Sequence, residues 1–188
     1  DLAVGYKIER RYTGYSSANY NVVNEGVGVY ARRRLFSTVE GRIAYDLRRV
    51  SVGNVTATAP LDVQAEGGHP KTISSVTLSL THDSRDQLNF PTKGSRLSLS
   101  EEIAGNGLGG SLDDFKTELR MGKWFLLSPT REQTLGLLGR VGTIGGSGGY
   151  VPFYERFFLG GAYDMRGFDY NEVGEASTWD TTNGNQPV

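Results

Sequence analysis

The chain has no cysteine and only two histidines. Disulfides, thiolate nucleophiles and thiolate metal sites are therefore excluded, and two histidines far apart in sequence, His69 and His82, make a weak metal case. The missing cysteine assigns no compartment. No run approaches the ~18 apolar residues that a spanning helix needs, so helical membrane insertion is excluded as well. A net charge of -1 gives no reason to expect a nucleic-acid partner. The chain starts at Asp1 with no basic-then-apolar leader, and the expectation is a signal peptide absent or already removed.

Glycine is abundant, 26 of 188 residues and roughly twice the usual ~7%. With ten tyrosines, this suits strand-and-turn architecture. Seven segments alternate with period two: residues 2–11, 20–31, 37–52, 73–84, 95–103, 114–126 and 133–145. Residues 37–52 are representative, with Val39, Ile43, Tyr45 and Leu47 on one face and Glu40, Arg42, Asp46 and Arg48 on the other. Each run is about nine to sixteen residues long, beyond the ~5–6 typical of globular strands. A strand crossing a bilayer at a tilt needs ~9–11 residues. Alternation alone allows a soluble sandwich, with its apolar faces packed together, or a barrel, with its apolar faces toward lipid. Strand length favours the barrel.

The connections alternate in length. Segments 32–36, 85–94 and 128–131 are compact, 53–71 and 105–112 are longer, and 13–19 is intermediate. Outer-membrane barrels have tight periplasmic turns and longer outer loops. Asp1 is then expected on the periplasmic side, and the segment from Gly146 to Val188 is an external loop. Seven strands cannot close a bacterial barrel, which uses an even number, and an open edge in lipid is not viable. The expectation is an all-β, antiparallel up-and-down transmembrane β-barrel, present in part. Residues 1–145 form about seven strands, and residues 146–188 form a long loop.

Several matches to catalytic motifs lack the context their chemistry needs. Gly105–Gly110 fits GxGxxG, but a strand pattern follows where a helix is required. Gly145–Gly149 fits GxSxG in a flexible loop start, away from any strand-to-helix elbow. Asp113-Asp114 reads as a solvated carboxylate pair. Asn54-Val55-Thr56 fits a glycosylation acceptor, which matters only in a eukaryotic secretory setting.

Two stretches carry a resemblance. Thr81 to Leu99, THDSRDQLNFPTKGSRLSL, contains Asp83, Arg85, Asp86, Pro91 and Gly94. Pro91 pushes Phe90 into extended geometry and presets φ for a turn that Gly94 closes. The charges can pair and cap turn N–H groups. The second stretch is Glu155 to Phe168, ERFFLGGAYDMRGF, with Gly160-Gly161 ahead of Arg166-Gly167-Phe168. Together these stretches resemble the BamA-type outer-membrane insertases, the superfamily of TamA, Sam50, Toc75 and the two-partner secretion transporters.

The resemblance implies that the loop turns into the barrel lumen and that Arg166 anchors it to acidic and aromatic residues of the wall. Gly167 would allow close approach and Phe168 would pack beside it. The family's acidic partners lie mostly in later strands, and Asp46, Glu102 and Glu118 are the inward carboxylates that would substitute. A further departure is that the periplasmic POTRA domains, which precede the barrel in the family, are not in this sequence.

The implied function is insertion of β-barrel proteins into the bacterial outer membrane, without covalent chemistry or a cofactor. The implied partners are lipid, client β-barrel proteins, accessory lipoproteins of an assembly complex and the remaining strands of the same barrel. A secretion conduit of the same superfamily is one rival. A soluble β-sandwich binding module is another, and an enzyme is expected only if a separate domain supplied the chemistry.

Overall fold

The computed structural model describes residues 1–15, 20–57, 59–128, 130, 133–146, 150–160, 165–168, 173, 179–180 and 186–187. Seven strands form one sheet in sequence order: β1 (Leu2–Tyr15), β2 (Tyr20–Phe36), β3 (Val39–Gly53), β4 (Lys71–Asp83), β5 (Gly94–Ala104), β6 (Asp114–Ser128) and β7 (Gln133–Gly146). The sheet is open, with β1 and β7 at its edges. A six-residue helix, α1 (Leu61–Glu66), follows β3. Two short strands, β8 (Trp179–Asp180) and β9 (Gln186–Pro187), pair near the end of the chain.

Each expected strand is present, and several run further than the alternation suggested. The main correction concerns 32–36, expected as a compact connection but in fact the end of β2, so that the turn into β3 is only Ser37-Thr38. A run of three arginines looks like solvated loop. A strand tolerates it as well, because a long side chain carries its charge away from the backbone to water.

The chain divides into two compact units. The first comprises Asp1–Glu9, Gly26–Arg48 and Thr72–Gly149 and holds most of the sheet. Here β4 to β7 are antiparallel, and their register aligns Leu80, Leu99, Leu119 and Val141 in one row across four strands. That face is exposed: Tyr6 is 80% accessible, Ile8 76%, Leu80 52% and Val141 63%. Among the described residues these aliphatic side chains are not buried together in one core, as a sandwich would require. On β6 the same face carries Phe115 at one end and Phe125 at the other, both exposed. Ten residues at ~3.4 Å each, tilted by ~40°, separate the two rings by about 26 Å along a membrane normal, close to the ~25 Å apolar band of barrels flanked by aromatic girdles.

The opposite face is polar and cross-linked by charge. Lys7 Nζ lies 2.7 Å from Asp46 Oδ1, a pair joining β1 to β3. It spans β2 at Gly28, where a β-carbon would collide with the Asp46 carboxylate. Arg48 reaches from β3 past β4 to Glu102 on β5 at 3.3 Å. Glu118 accepts from Arg120 on its own strand and from Arg140 on β7, the latter at 2.6 Å. The Arg42 guanidinium sits 4.8 Å from the centre of the Tyr30 ring.

The second unit comprises Arg10–Glu25, Arg49–Lys71 and Tyr150–Val188. Its core is Val52, Ala59, Val63 and Phe153, with Tyr20, Val22, Val55 and Tyr154 packed around it. Six residues are too few for an independent helix, so α1 is held by these contacts. Gln64 Nε2 also donates to the Ala59 carbonyl at 2.7 Å. Two buried carboxylates on α1 are partnered. Asp62 takes Arg156 at 3.3 Å, while Glu66 takes Lys71 at 2.9 Å and the Tyr150 hydroxyl at 2.6 Å. Burial, then the hydrogen bond to Glu66 and its charge, push the Tyr150 phenol above its usual range and keep it a donor.

Candidate functional site

The return from β4 to β5 is built by the charged residues of the first stretch. Arg85 Nε and Nη2 donate to the two oxygens of Asp83 at 2.9 and 2.7 Å, a fork-to-fork pair. Arg85 Nη1 reaches the Leu88 carbonyl at 3.0 Å, and its guanidinium lies 5.6 Å from the centre of a Trp124 ring. Asp86 accepts from the backbone N–H groups of Gln87, Thr92 and Lys93 at 3.0, 3.0 and 3.2 Å, and from the Thr92 hydroxyl at 2.5 Å. Pro91 immediately precedes Thr92 and Lys93, two of the residues that Asp86 holds. Gly94 has φ +105°, and a β-carbon there would lie 2.8 Å from Arg85 Cα. The strands meet too closely at this point for any side chain.

The Thr92 hydroxyl, then the three N–H groups, hold the Asp86 carboxyl down at about 2. A carboxylate depressed below its ordinary ~3.9 stabilises the fold fully above that value and loses its contribution as pH falls through the folded value. Asp86→Ala is expected to lower unfolding resistance at neutral pH. The gap from wild type should close as the pH approaches 2, which urea midpoints measured across pH would reveal.

The second stretch forms an excursion closed at its base. Leu159 N–H donates to the Val173 carbonyl at 2.6 Å, and Val173 N–H returns the bond at 2.9 Å. Arg166 is the midpoint between these two residues. Gly160 at the base is buried with φ +127°, and Gly167 has φ +96° beside the arginine. Arg166 and Phe168 are exposed, and Gly161 lies outside the described residues. Among the described residues Arg166 makes no ion pair. The three carboxylates that would substitute as its partners are already engaged: Asp46 by Lys7, Glu102 by Arg48, and Glu118 by Arg120 and Arg140.

Reasoning from sequence missed α1 and its set of Asp62, Glu66, Lys71, Tyr150 and Arg156. A faint signal was present, since Pro60 is followed by Leu-Asp-Val-Gln, a start with acid in the first turn.

An exposed aliphatic face, a polar charge-paired face and a loop closed around an Arg-Gly-Phe triplet are joined by a family match. The profile of the Omp85 superfamily domain matches residues 1–186. The chain belongs to the Omp85 superfamily. A SAM50-like protein of Schizosaccharomyces pombe is 27% identical over 95% of this chain and 39% of its own length. The sorting and assembly machinery component 50 homolog of Bos taurus is 31% identical over 71% of this chain and 28% of its own. The outer membrane protein assembly factor BamA of Nitratidesulfovibrio vulgaris is 29% identical over 69% of this chain and 16% of its own.

In fold, the chain is similar to the crystal structure of BamA from Haemophilus ducreyi lacking POTRA domains 1–3. The TM-score is 0.79 at 15% identity, covering 95% of this chain and 36% of that one. This Omp85 chain thus spans about two fifths or less of the curated relatives it matches. Its open seven-stranded sheet is part of a BamA-like barrel.

Proposed function

We propose that this chain is the wall and internal loop of an outer-membrane assembly factor that folds and inserts β-barrel proteins. The observation that carries this reading is the exposed aliphatic face on an open sheet of an Omp85 member. In a lipid phase, unpaired strand N–H and C=O groups each cost several kcal/mol. An opened barrel seam lowers that cost by offering a client strand a partner edge, a form of β-augmentation. The work is conformational, with no covalent step and no cofactor. Lipid, client barrels, accessory lipoproteins and further strands of the same barrel are the partners, and the compartment is the bacterial outer membrane.

The loop supports the wall, with Arg166 held inside the lumen by a carboxylate. A second setting, the mitochondrial outer membrane, is favoured by one observation. The fission-yeast SAM50-like relative matches 95% of this chain, against 69% for the bacterial assembly factor.

The full-length protein in liposomes should speed the folding of a urea-unfolded client barrel, followed by its heat-modifiable gel mobility. Arg166→Ala should slow that folding and lower the temperature at which the factor itself loses its folded mobility. Client folding no faster than in empty liposomes would overturn the proposal.

A further inference from the structure

On β4 to β7 the exposed face is mostly aliphatic or aromatic; Glu101, bonded by the Thr117 hydroxyl, interrupts it towards the loop end, and two nitrogen-bearing side chains interrupt it near the other. His82 lies opposite Leu97, and Lys123 lies opposite Ser95 on one side and Leu137 on the other. Both line one open hollow of about 430 Å³, together with Arg96, Leu97, Met121, Leu137 and Gly139. Gly139 leaves the hollow its depth, because a β-carbon there would press within 3.2 Å of the Met121 side chain. The floor is therefore a thioether, a side chain that adapts to irregular apolar shapes.

A lysine at the middle of a lipid-facing strand costs about 2–4 kcal/mol, falling to about 0–1 near the interface. Lys123 lies two residues inside Phe125, the aromatic at that end, and its ammonium lies 5.8 Å from the centre of that ring. This is headgroup depth, where a lysine stem runs along apolar surface and its charge reaches out to the phosphate layer. On the other side of the hollow His82 supplies an imidazole N–H. The Ser84 and Ser95 hydroxyls, 3.0 Å apart, lie at the same level. A polar rim with a positive charge, above an apolar hollow beginning one residue row deeper, matches a lipid with an anionic head and an acyl chain.

We infer that the His82–Lys123 hollow is a binding site for one anionic glycerophospholipid, in the leaflet at the tight-turn end of the strands. Lys123 and His82 hold the phosphate while an acyl chain occupies the hollow over Met121 and Gly139. The inference rests on the reading of the aliphatic face as the lipid face. It adds a specific occupant that the reading does not require, since a barrel surrounded only by exchanging lipid would serve equally well for insertion.

The test is native mass spectrometry of the full-length protein, released from nanodiscs containing equal phosphatidylglycerol and phosphatidylcholine. Wild type should retain a phosphatidylglycerol molecule in preference to phosphatidylcholine. Removing the lysine charge with Lys123→Gln should weaken that retention about fivefold, the effect of one basic residue on anionic lipid. His82→Phe should also weaken it, Lys123→Arg should keep it, and Arg42→Gln on the opposite face should leave it unchanged. Excess inorganic phosphate should fail to displace the lipid.

Retention that survives Lys123→Gln, or that shows no preference for phosphatidylglycerol, would overturn the site. Displacement by inorganic phosphate would reduce it to a bare anion contact and overturn the lipid assignment. Heat-modifiable mobility of each protein separates the two claims. A wild type without it would sink the barrel reading, whereas variants that keep it and still bind equally well would sink only the lipid site.

Discussion

Gly94→Ala is expected to destabilise the fold by about 2–4 kcal/mol, one of the two largest losses a single substitution should produce here. Two costs combine. The φ of +105° lies well beyond the left-handed well near +57° that non-glycine residues visit. The new methyl would also meet backbone, at Arg85 Cα and the Ser84 carbonyl. Backbone cannot rotate away as a long side chain can, so the Ser84–Ser95 hydrogen bonds, including Ser84 N–H to the Ser95 carbonyl at 2.9 Å, must open. Gly68→Ala provides the comparison, because Gly68 has φ +73° with nothing within 4 Å of an added methyl. It carries the conformational cost alone, about 1 kcal/mol. The unfolding free energies of the two variants, from urea titrations, should differ by the remaining ~1–3 kcal/mol. Equal losses would mean that the close approach at Gly94 contributes nothing.

Leu99→Arg is the second large effect. Leu99 sits mid-strand in the row of Leu80, Leu119 and Val141, where a guanidinium in hydrocarbon costs about 2–4 kcal/mol. Ser100→Arg moves the same charge one residue along, to the other face and directly opposite Glu118. There water receives it, and the change should stay within about 0.5 kcal/mol. The pair is informative because size, charge and strand are matched and only the face differs. Folded fractions after refolding into liposomes, read from heat-modifiable mobility, would show one variant depleted and the other near wild type.

The strands were legible because the two faces meet different solvents, and that contrast writes period two directly into Val76-Thr77-Leu78-Ser79-Leu80 and its neighbours. Strand ends were less legible. Arg32, Arg33 and Arg34 look like loop on charge alone, yet they continue β2, since a long basic side chain satisfies a strand and water at once. The helix α1 was invisible for a different reason. Its stability comes from Phe153, some ninety residues away in sequence, and from Arg156 and Tyr150 on its carboxylates, so no local pattern encodes it.

The turn residues Asp83, Arg85, Asp86, Pro91 and Gly94 stood out by type and spacing. Their division of labour did not, because Asp83 serves the arginine while Asp86 serves three N–H groups, and a carboxylate's type is the same in both roles. The wall pairs were also beyond reach. Lys7 with Asp46 and Arg48 with Glu102 skip a strand, so adjacent-strand logic would never match them.

The absence of cysteine allows the most direct test of the central claim, which is that Leu97, Leu99, Leu119 and Met121 face hydrocarbon while Ser98, Ser100 and Arg120 face water. Single cysteines at these positions in the full-length protein, folded into liposomes, would be treated with a membrane-impermeant maleimide, and a parallel set labelled with a fluorophore before folding would be quenched by nitroxide-bearing lipid. Labelling should alternate, with positions 98, 100 and 120 reacting in water and positions 97, 99, 119 and 121 protected and quenched by lipid. Uniform labelling along β5 and β6, or protection on the serine face, would contradict the account.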